Sequence, residues 1–292
     1  MLNQIQTNTK RKKPTKLSPI KESKAVELMY YKELRGLVKA MEESVNSQLL
    51  PKLEEAKIIK DSALDIITVL ESLRSRFTNI EAFANQVSSS VVNKINETNK
   101  NRFLNTANKA FGVDLTNVIN ENSLNEVVAL QKQKNKVLIK SIPEEFFKEV
   151  EMIVSNGLTS GLRHEEIAIQ LKGIKGITST FGKLENRVKM IARNEVSSIN
   201  ANINQARYEN VGISIYEWQS SNDERTRPSH EALDGKICSY RDATVYADSI
   251  DEAVKGKWKK RSSIGAVEKN VGIDFNCRCV AVPIIEGIDY ES

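Results

Sequence analysis

The chain of 292 residues contains 40% hydrophobic and 28% charged residues, which is ordinary for a soluble globular protein. Its three cysteines do not form the framework of a secreted disulfide-rich protein, and its longest apolar runs are far too short to span a bilayer, so we expect no membrane segment. Only 13 glycines and 6 prolines interrupt the chain, which favours long helices.

The positive charge is concentrated in residues 1–24, which we expect to form a basic leader. This segment has seven basic residues and one Glu, a sum of +6 against the net +5 of the whole chain, so the remainder is close to neutral. Two interpretations stay open: a solvated disordered leader, or a segment that contacts phosphates or an acidic protein surface. The nucleic-acid candidates are Lys10, Arg11, Lys12, Lys13 and Lys16.

Long amphipathic helices are predicted next, over about 22–47, 51–76 and 80–110, with Pro51 at the start of the second. We expect residues 25–111 to form an extended hairpin or bundle. Residues 112–183 are predicted to be a connector of shorter helices, two of which, over about 122–141 and 144–156, are separated at Pro143.

A further helix is predicted over 184–210, where apolar residues recur in steps of three and four. Beside this apolar face lies a polar stripe of Arg193, Asn200, Asn204 and Arg207, while Glu195 points elsewhere. Asn is a poor helix former, so its recurrence within a helix suggests that the stripe has a role.

The sequence after this helix predicts a small β structure with two motif loops. Val211 and Gly212 end the helix, and residues 213–218 alternate as a strand whose one face carries Tyr216 and Trp218. The first loop contains Asp223, Arg225, Arg227 and His230 and leads to Gly235; the second contains Asp274, Asn276, Cys277, Arg278 and Cys279. A returning strand over 279–285 is predicted at a sheet edge or to end early, because Pro283 lacks an N–H.

Three interpretations compete for His230 and the cysteines. A structural zinc site could use His230, Cys277 and Cys279 with Asp274 or Cys238, although Cys-x-Cys spacing strains a shared tetrahedral ion. Alternatively, the cysteines pack as small apolar residues while Arg278 and His230 bond to Asp223 or Asp274. A catalytic Cys–His pair is the third interpretation, and the sequence offers no obvious oxyanion site for it.

These motifs, in this order, resemble the phage head morphogenesis family of Mu F-like minor head proteins. The resemblance rests on Arg193 and Glu195, Arg207 and Gly212, Trp218, the two motif loops and Gly235, over about residues 142–283. Some relatives have further Cys and His residues where Arg227 and Asp274 stand here, so this chain favours salt bridges over a full metal set.

The resemblance implies a non-enzymatic minor capsid protein that associates with the portal during procapsid assembly and remains inside the head. Its expected partners are the portal protein and the scaffold or major capsid protein, with double-stranded DNA as a candidate, and its expected locations are the virion head and, during assembly, the host cytoplasm. We expect no cofactor, with zinc as the alternative. The alternatives are a nucleic-acid-binding module using the leader and the Arg/Asn stripe, and a metal-dependent hydrolase or transferase centred on His230.

We therefore predict a predominantly α protein of the α+β class, with an elongated helical N-terminal half and a small α+β C-terminal domain. The predicted organisation is a leader (1–24), long helices (25–111), a connector (112–183), the motif domain (184–286) and a tail (287–292).

Overall fold

The computed structural model describes residues 14–55, 59–111, 122–172 and 180–286. The tail predicted over 287–292 and the leader cations Lys10, Arg11, Lys12 and Lys13 lie outside these ranges. Of these described residues, 67% are helical, and a small antiparallel sheet lies in the C-terminal part, which confirms the predominantly α, α+β class.

The principal helices are α1 (Lys24–Ser44), α2 (Leu50–Glu55), α3 (Ile59–Thr78), α4 (Glu81–Phe111), α5 (Asn122–Thr159), α6 (His164–Lys172) and α7 (Thr180–Asn210). Two short helices, α8 (Pro228–Glu231) and α9 (Ile250–Val254), follow in the C-terminal part. Among the described residues, none of these helices combines the length and apolar character needed to cross a membrane.

Of the two prolines predicted to delimit helices, Pro51 is the second residue of α2, at the start of that helix as predicted, although a π-helical turn, Val45–Leu49, joins α2 to α1 without a break. Pro143 lies inside α5, so the predicted break between 141 and 144 is wrong. Ile142, Phe146 and Phe147 are buried beside it, and this packing outweighs the hydrogen bond that proline removes.

The chain forms two compact units, each assembled from separated segments. Unit 1 contains residues 1–24, 92–131 and 194–292, and unit 2 contains residues 25–91 and 132–193. The sequence, in contrast, suggested consecutive divisions along the chain.

Unit 2 is an all-helical assembly in its described part. Its buried side chains include Tyr30, Leu34 and Met41 of α1, and Phe77 of α3 stacks on Phe147 of α5 with ring centroids 5.7 Å apart. The hydroxyl of Tyr30 donates to Asn135 Oδ1 at 3.1 Å inside this core, so these two buried polar groups bond to each other.

Unit 1 contains a six-stranded antiparallel sheet in the order β1-β6-β2-β3-β4-β5. The strands are β1 (Thr15–Lys16), β2 (Ile215–Gln219), β3 (Ile237–Ser239), β4 (Val245–Ala247), β5 (Lys259–Lys260) and β6 (Val280–Ile285). Central β2 pairs with β6 in the register Tyr216 to Pro283, so the predicted hairpin partners do meet.

Pro283 is not on an edge strand, contrary to expectation, because β1 pairs with the outer side of β6. The carbonyl of Pro283 accepts from Leu17 N at 2.8 Å, and the N and O of one strand residue point to the same side. The missing N–H therefore faces the point where the two-residue strand β1 ends, and no bond to β2 is lost.

Residues 14–24 of the expected disordered leader are thus structured. Leu17 and Ile20 are buried, and Lys16 forms an ion pair with Glu217 of β2. Two carbonyls of the segment also accept hydrogen bonds from side chains: Arg102 donates to Lys21 O, and Asn200 donates to Ile20 O at 3.1 Å.

The two faces of the sheet have different cores, as the alternation along β2 predicts. Tyr216 and Trp218 point into a large cluster with Phe103 of α4 and Tyr208 of α7. Ile215 directly precedes Tyr216, so its side chain points to the other face of the sheet. There it packs in a smaller cluster with Ala253 of α9. The aromatic face therefore lies under the motif loops.

Candidate functional site

The two motif loops lie against each other beside the aromatic face. We call the cluster formed by Asp223, Arg227, His230, Asp274, Cys277, Arg278 and Cys279 the loop cluster. Its first half follows β2 and ends in α8, where Pro228 begins the helix with its fixed φ angle. Its second half is a tight turn, closed by Cys277 N donating to Asp274 O at 3.0 Å, which leads into β6.

Two Arg–Asp pairs cross-link the loops. Arg278 makes a bidentate ion pair with Asp223, with one Nη2–Oδ1 distance of 2.7 Å. Arg227 donates to Asp274 at 2.9 Å and to the carbonyl of Phe275 at 2.6 Å. The hydrogen bond from Arg278, with smaller help from local donors, lowers the pKa of Asp223 against the effect of burial.

His230 links the Asp–Arg pairs to the cysteines. Its ring is 3% exposed and packs edge-on against Trp218, with centroids 5.6 Å apart. Nε2 lies 3.1 Å from Asp274 Oδ2, while Nδ1 lies 3.6 Å from the sulfur of Cys277 and 3.6 Å from that of Cys279. A carboxylate that accepts from Nε2 leaves the Nδ1 lone pair directed at the two sulfurs.

The hydrogen bonds around His230 favour the charged forms of Asp274, His230 and Cys277. Burial acts to raise the pKa of Asp274, but hydrogen bonds from Lys269 and His230 outweigh it and lower that pKa to about 2. The hydrogen bond with Cys277 raises the pKa of His230 against burial, and Asp274 adds to the rise. The hydrogen bond from Cys279, followed by that from His230, lowers the pKa of Cys277 despite its burial.

The metal set expected from the sequence is only partly assembled. His230, Cys277 and Cys279 place their ligand atoms within 4.8 Å of one another. Asp274 contacts the opposite nitrogen of the imidazole, so it orients His230 and is not a fourth ligand in this geometry. Cys238 is buried on β3, and burial raises its pKa to about 11.

Two further motif residues shape the backbone. Gly235 has φ +71° and donates its N–H to Trp218 O at 2.8 Å, which closes the connection between β2 and β3. Asn276 has φ +53°, and its N–H donates to Asn194 Oδ1 on α7 at 2.8 Å. Asn tolerates this left-handed conformation better than most residues, which explains its place before Cys277.

Most of the Arg/Asn stripe is part of an internal network. Arg207 is 0% exposed and donates to Asn96 Oδ1 at 2.7 Å and to Asn99 Oδ1 at 2.8 Å. Asn99 in turn donates to Asn200 at 2.9 Å and to Asn204 at 2.6 Å. The stripe therefore joins α7 to α4, and the proposal that it forms a nucleic-acid surface is wrong for these residues.

The remaining candidates lie outside the loop cluster. Glu195 is buried on α7, Arg193 is half-buried on the same helix, and Arg225 is exposed at the turn, where its backbone N–H donates to Asp223 at 3.1 Å.

One residue of this site was missed from the sequence. Arg261 is 0% exposed, donates to three backbone carbonyls and lies with its guanidinium 5.6 Å from the Trp218 ring. It follows two lysines, and nothing in that basic run distinguishes an inward-pointing residue from an exposed one.

Comparison with known sequences identifies the family that the motif region resembles. Residues 148–282 match the profile of the family described as Phage Mu protein F like protein. This region is phage Mu F-like. The match begins within α5, contains α7 and both motif loops, and ends in β6, so the resemblance inferred from the motifs is confirmed.

A relative extends the similarity beyond the Mu F-like region. An uncharacterized protein of Haemophilus influenzae (strain ATCC 51907 / DSM 11121 / KW20 / Rd) is 29% identical over 278 residues, covering 93% of this chain and 56% of the relative. The chain thus spans little more than half the length of that protein. No solved structure matches the chain.

Proposed function

We propose that the protein is a minor capsid protein of a tailed phage that associates with the portal during procapsid assembly and stays inside the head. The Mu F-like match supports a role in head morphogenesis. The observation that carries the proposal is that the motif side chains bond to one another and to the fold: Asp223 to Arg278, Asp274 to Arg227, and His230 to Asp274. Such contacts stabilise a binding module.

The alternative of a hydrolase or transferase centred on His230 has less support. A general base must reach its substrate within hydrogen-bond distance. The His230 ring is 3% exposed, and both of its nitrogens face groups of the protein.

Co-purification tests the portal partner. Portal and scaffold proteins from the same phage, expressed with this chain, should retain it on an affinity-tagged portal. The variant Lys148→Gln, at an exposed position of α5 outside the loop cluster, should still bind and serves as the control for nonspecific loss. Portal that assembles into procapsids containing none of this chain would contradict the proposal.

We also propose that His230, Cys277 and Cys279 hold a zinc ion with structural function. Zinc bonds of about 2.0–2.1 Å to nitrogen and 2.3 Å to sulfur at tetrahedral angles place N and S about 3.6 Å apart. The two Nδ1–Sγ distances are 3.6 Å. Asp274 on the far nitrogen is the orienting carboxylate that zinc-bound histidines commonly have.

A bound zinc would add a link between α8, which contains His230, and the turn that leads into β6. Elemental analysis of purified protein should give about one zinc per chain, and Cys277→Ser with Cys279→Ser should remove it. Asp274→Asn should weaken zinc affinity by about 10–100-fold. A zinc-free protein whose thermal midpoint is unchanged by added zinc would show that the sulfurs bond to His230 as thiols.

A further inference from the structure

A lysine-rich stretch at the far edge of the sheet has no part in the loop cluster. The segment 255–261 reads Lys-Gly-Lys-Trp-Lys-Lys-Arg and runs from the end of α9 through β5. Every lysine in it is exposed, whereas Trp258 is half-buried and Arg261 is fully buried. The buried residues anchor the segment and the lysines face solvent.

The backbone holds these lysines in fixed positions. Gly256 has φ +70°, which turns the chain after α9, and Lys257 N donates to Glu252 O at 2.8 Å. Trp258 packs against the smaller core of the sheet, and Arg261 N donates to Thr244 O at 2.7 Å. Because successive strand residues alternate, the N–H of Lys260 points away from β4 and toward solvent.

The charges of this surface are only partly neutralised. Asp248 binds Lys236 at 2.6 Å and also pairs with Lys259, whose ammonium lies 4.0 Å from Glu252. Within the described ranges, Lys255, Lys257 and Lys260 form no ion pair. Three exposed cations within six residues thus remain available to an anionic partner.

Protection of the sheet edge explains only part of this charge. Lysines on edge strands prevent pairing with other chains, and Lys259 and Lys260 lie on β5 where they can do so. Lys255 and Lys257 precede the strand, so they do not protect any unpaired backbone group of β5. Their placement next to the strand lysines favours a ligand with repeated negative charge.

We propose that Lys255, Lys257 and Lys260 form a binding surface for the phosphate backbone of double-stranded DNA, read without sequence specificity. The proposed place inside the head supplies such DNA, but the charge argument does not depend on portal association. This edge is a candidate DNA contact of unit 1 in place of Asn200 and Arg207 of the stripe, which are buried.

The test is fluorescence anisotropy with a labelled DNA duplex and the full chain, over a series of salt concentrations. The edge variant is Lys255→Gln, Lys257→Gln and Lys260→Gln. A matched control, Lys32→Gln, Lys148→Gln and Lys189→Gln, removes the same charge from exposed helix positions of unit 2. A leader variant replaces Lys10, Arg11, Lys12 and Lys13 with Gln.

Three phosphate contacts contribute about 2.7 to the slope of log affinity against log salt. We expect the slope of the edge variant to be smaller than that of the wild type by about this amount, and its affinity for DNA to be at least about tenfold weaker. The control should keep the wild-type slope and affinity. Wild-type affinity and slope in the edge variant would overturn the proposal, whatever the leader variant does. Binding of polyglutamate but not of duplex DNA by the wild type would overturn it too.

Portal co-purification of the edge variant separates the two proposals. Retention of the edge variant on portal together with lost DNA binding supports this surface. Failure of the wild-type chain to bind portal, with its DNA binding intact, contradicts only the proposed function.

Discussion

Replacing Arg261 with Met should destabilise unit 1 strongly. The guanidinium donates to the carbonyls of Val245 at 3.0 Å, Val267 at 3.2 Å and Lys269 at 2.8 Å, and its face lies near Trp218. Met keeps an unbranched side chain of similar length but donates to none of these oxygens. The three acceptors, whose hydrogen bonds are part-buried, then lose their charged donor.

The size of the effect follows from those three carbonyls. A buried acceptor left without a partner costs about 1–3 kcal/mol. Burial of the guanidinium itself is unfavourable and its removal returns part of that loss, so we take the low end for each carbonyl and expect about 3 kcal/mol in total. Arg261→Lys keeps the charge, but its single ammonium group cannot reach all three oxygens. This variant should lose somewhat less stability than Arg261→Met.

Urea unfolding monitored by tryptophan fluorescence measures this loss. Both tryptophans of the chain, Trp218 and Trp258, belong to unit 1, so the signal reports on that unit. Lys260→Met, at the adjacent exposed position, is the control and should change stability by no more than about 0.5 kcal/mol. An Arg261→Met loss below about 1 kcal/mol would show that the carbonyls find water or other donors and that the argument is wrong.

Three further predictions concern other parts of the fold. Gly272→Ala should lower the melting temperature more than Gly265→Ala, because both glycines have positive φ but only at Gly272 would the new Cβ lie 2.8 Å from the Ala201 Cβ; equal losses would exclude the clash. Asn99→Ala should cost about 2 kcal/mol or more in urea unfolding, since it breaks the bonds to Arg207 and two asparagines; a loss within error would show that the network rearranges. Hydrogen bonds from two lysines of α5 lower the pKa of Glu81 from 4.5 to about 2. The contribution of Glu81 to stability should therefore be present above pH 4.5 and disappear as the pH falls through 2. A carboxyl titration of Glu81, measured by NMR and centred near pH 4.5, would contradict the ion pairs.

The β structure near the motif loops was largely predictable. Alternation of apolar and polar residues gave the aromatic face of β2, and the composition of 279–285 indicated its returning partner. The Asp–Arg and His–Asp contacts were also among the open interpretations, because acidic and basic residues of two adjacent loops have few other ways to be neutralised. Periodicity and charge pairing are local properties that a sequence displays.

The misses share a different cause. The position of Pro143 inside a helix, the burial of Arg261 and the partners of Arg207 depend on segments far away in the chain. For Arg207 those partners, Asn96 and Asn99, lie in a polar stretch of α4 that looks solvated when it is read alone. A polar residue in a helix can face water or a distant amide, and the sequence does not distinguish the two.

The pairing of β1 with β6 has a consequence for biosynthesis. Thr15 pairs with Ile285, so a strand formed near the start of this sequence completes its ladder only after roughly 270 further residues have been added. At about 5–20 residues per second, ribosomes need on the order of 15–55 seconds for that stretch. Leu17 and Ile20 lack their C-terminal core neighbours for this time, so this sheet edge closes late and its apolar residues stay accessible to a chaperone that binds short apolar segments.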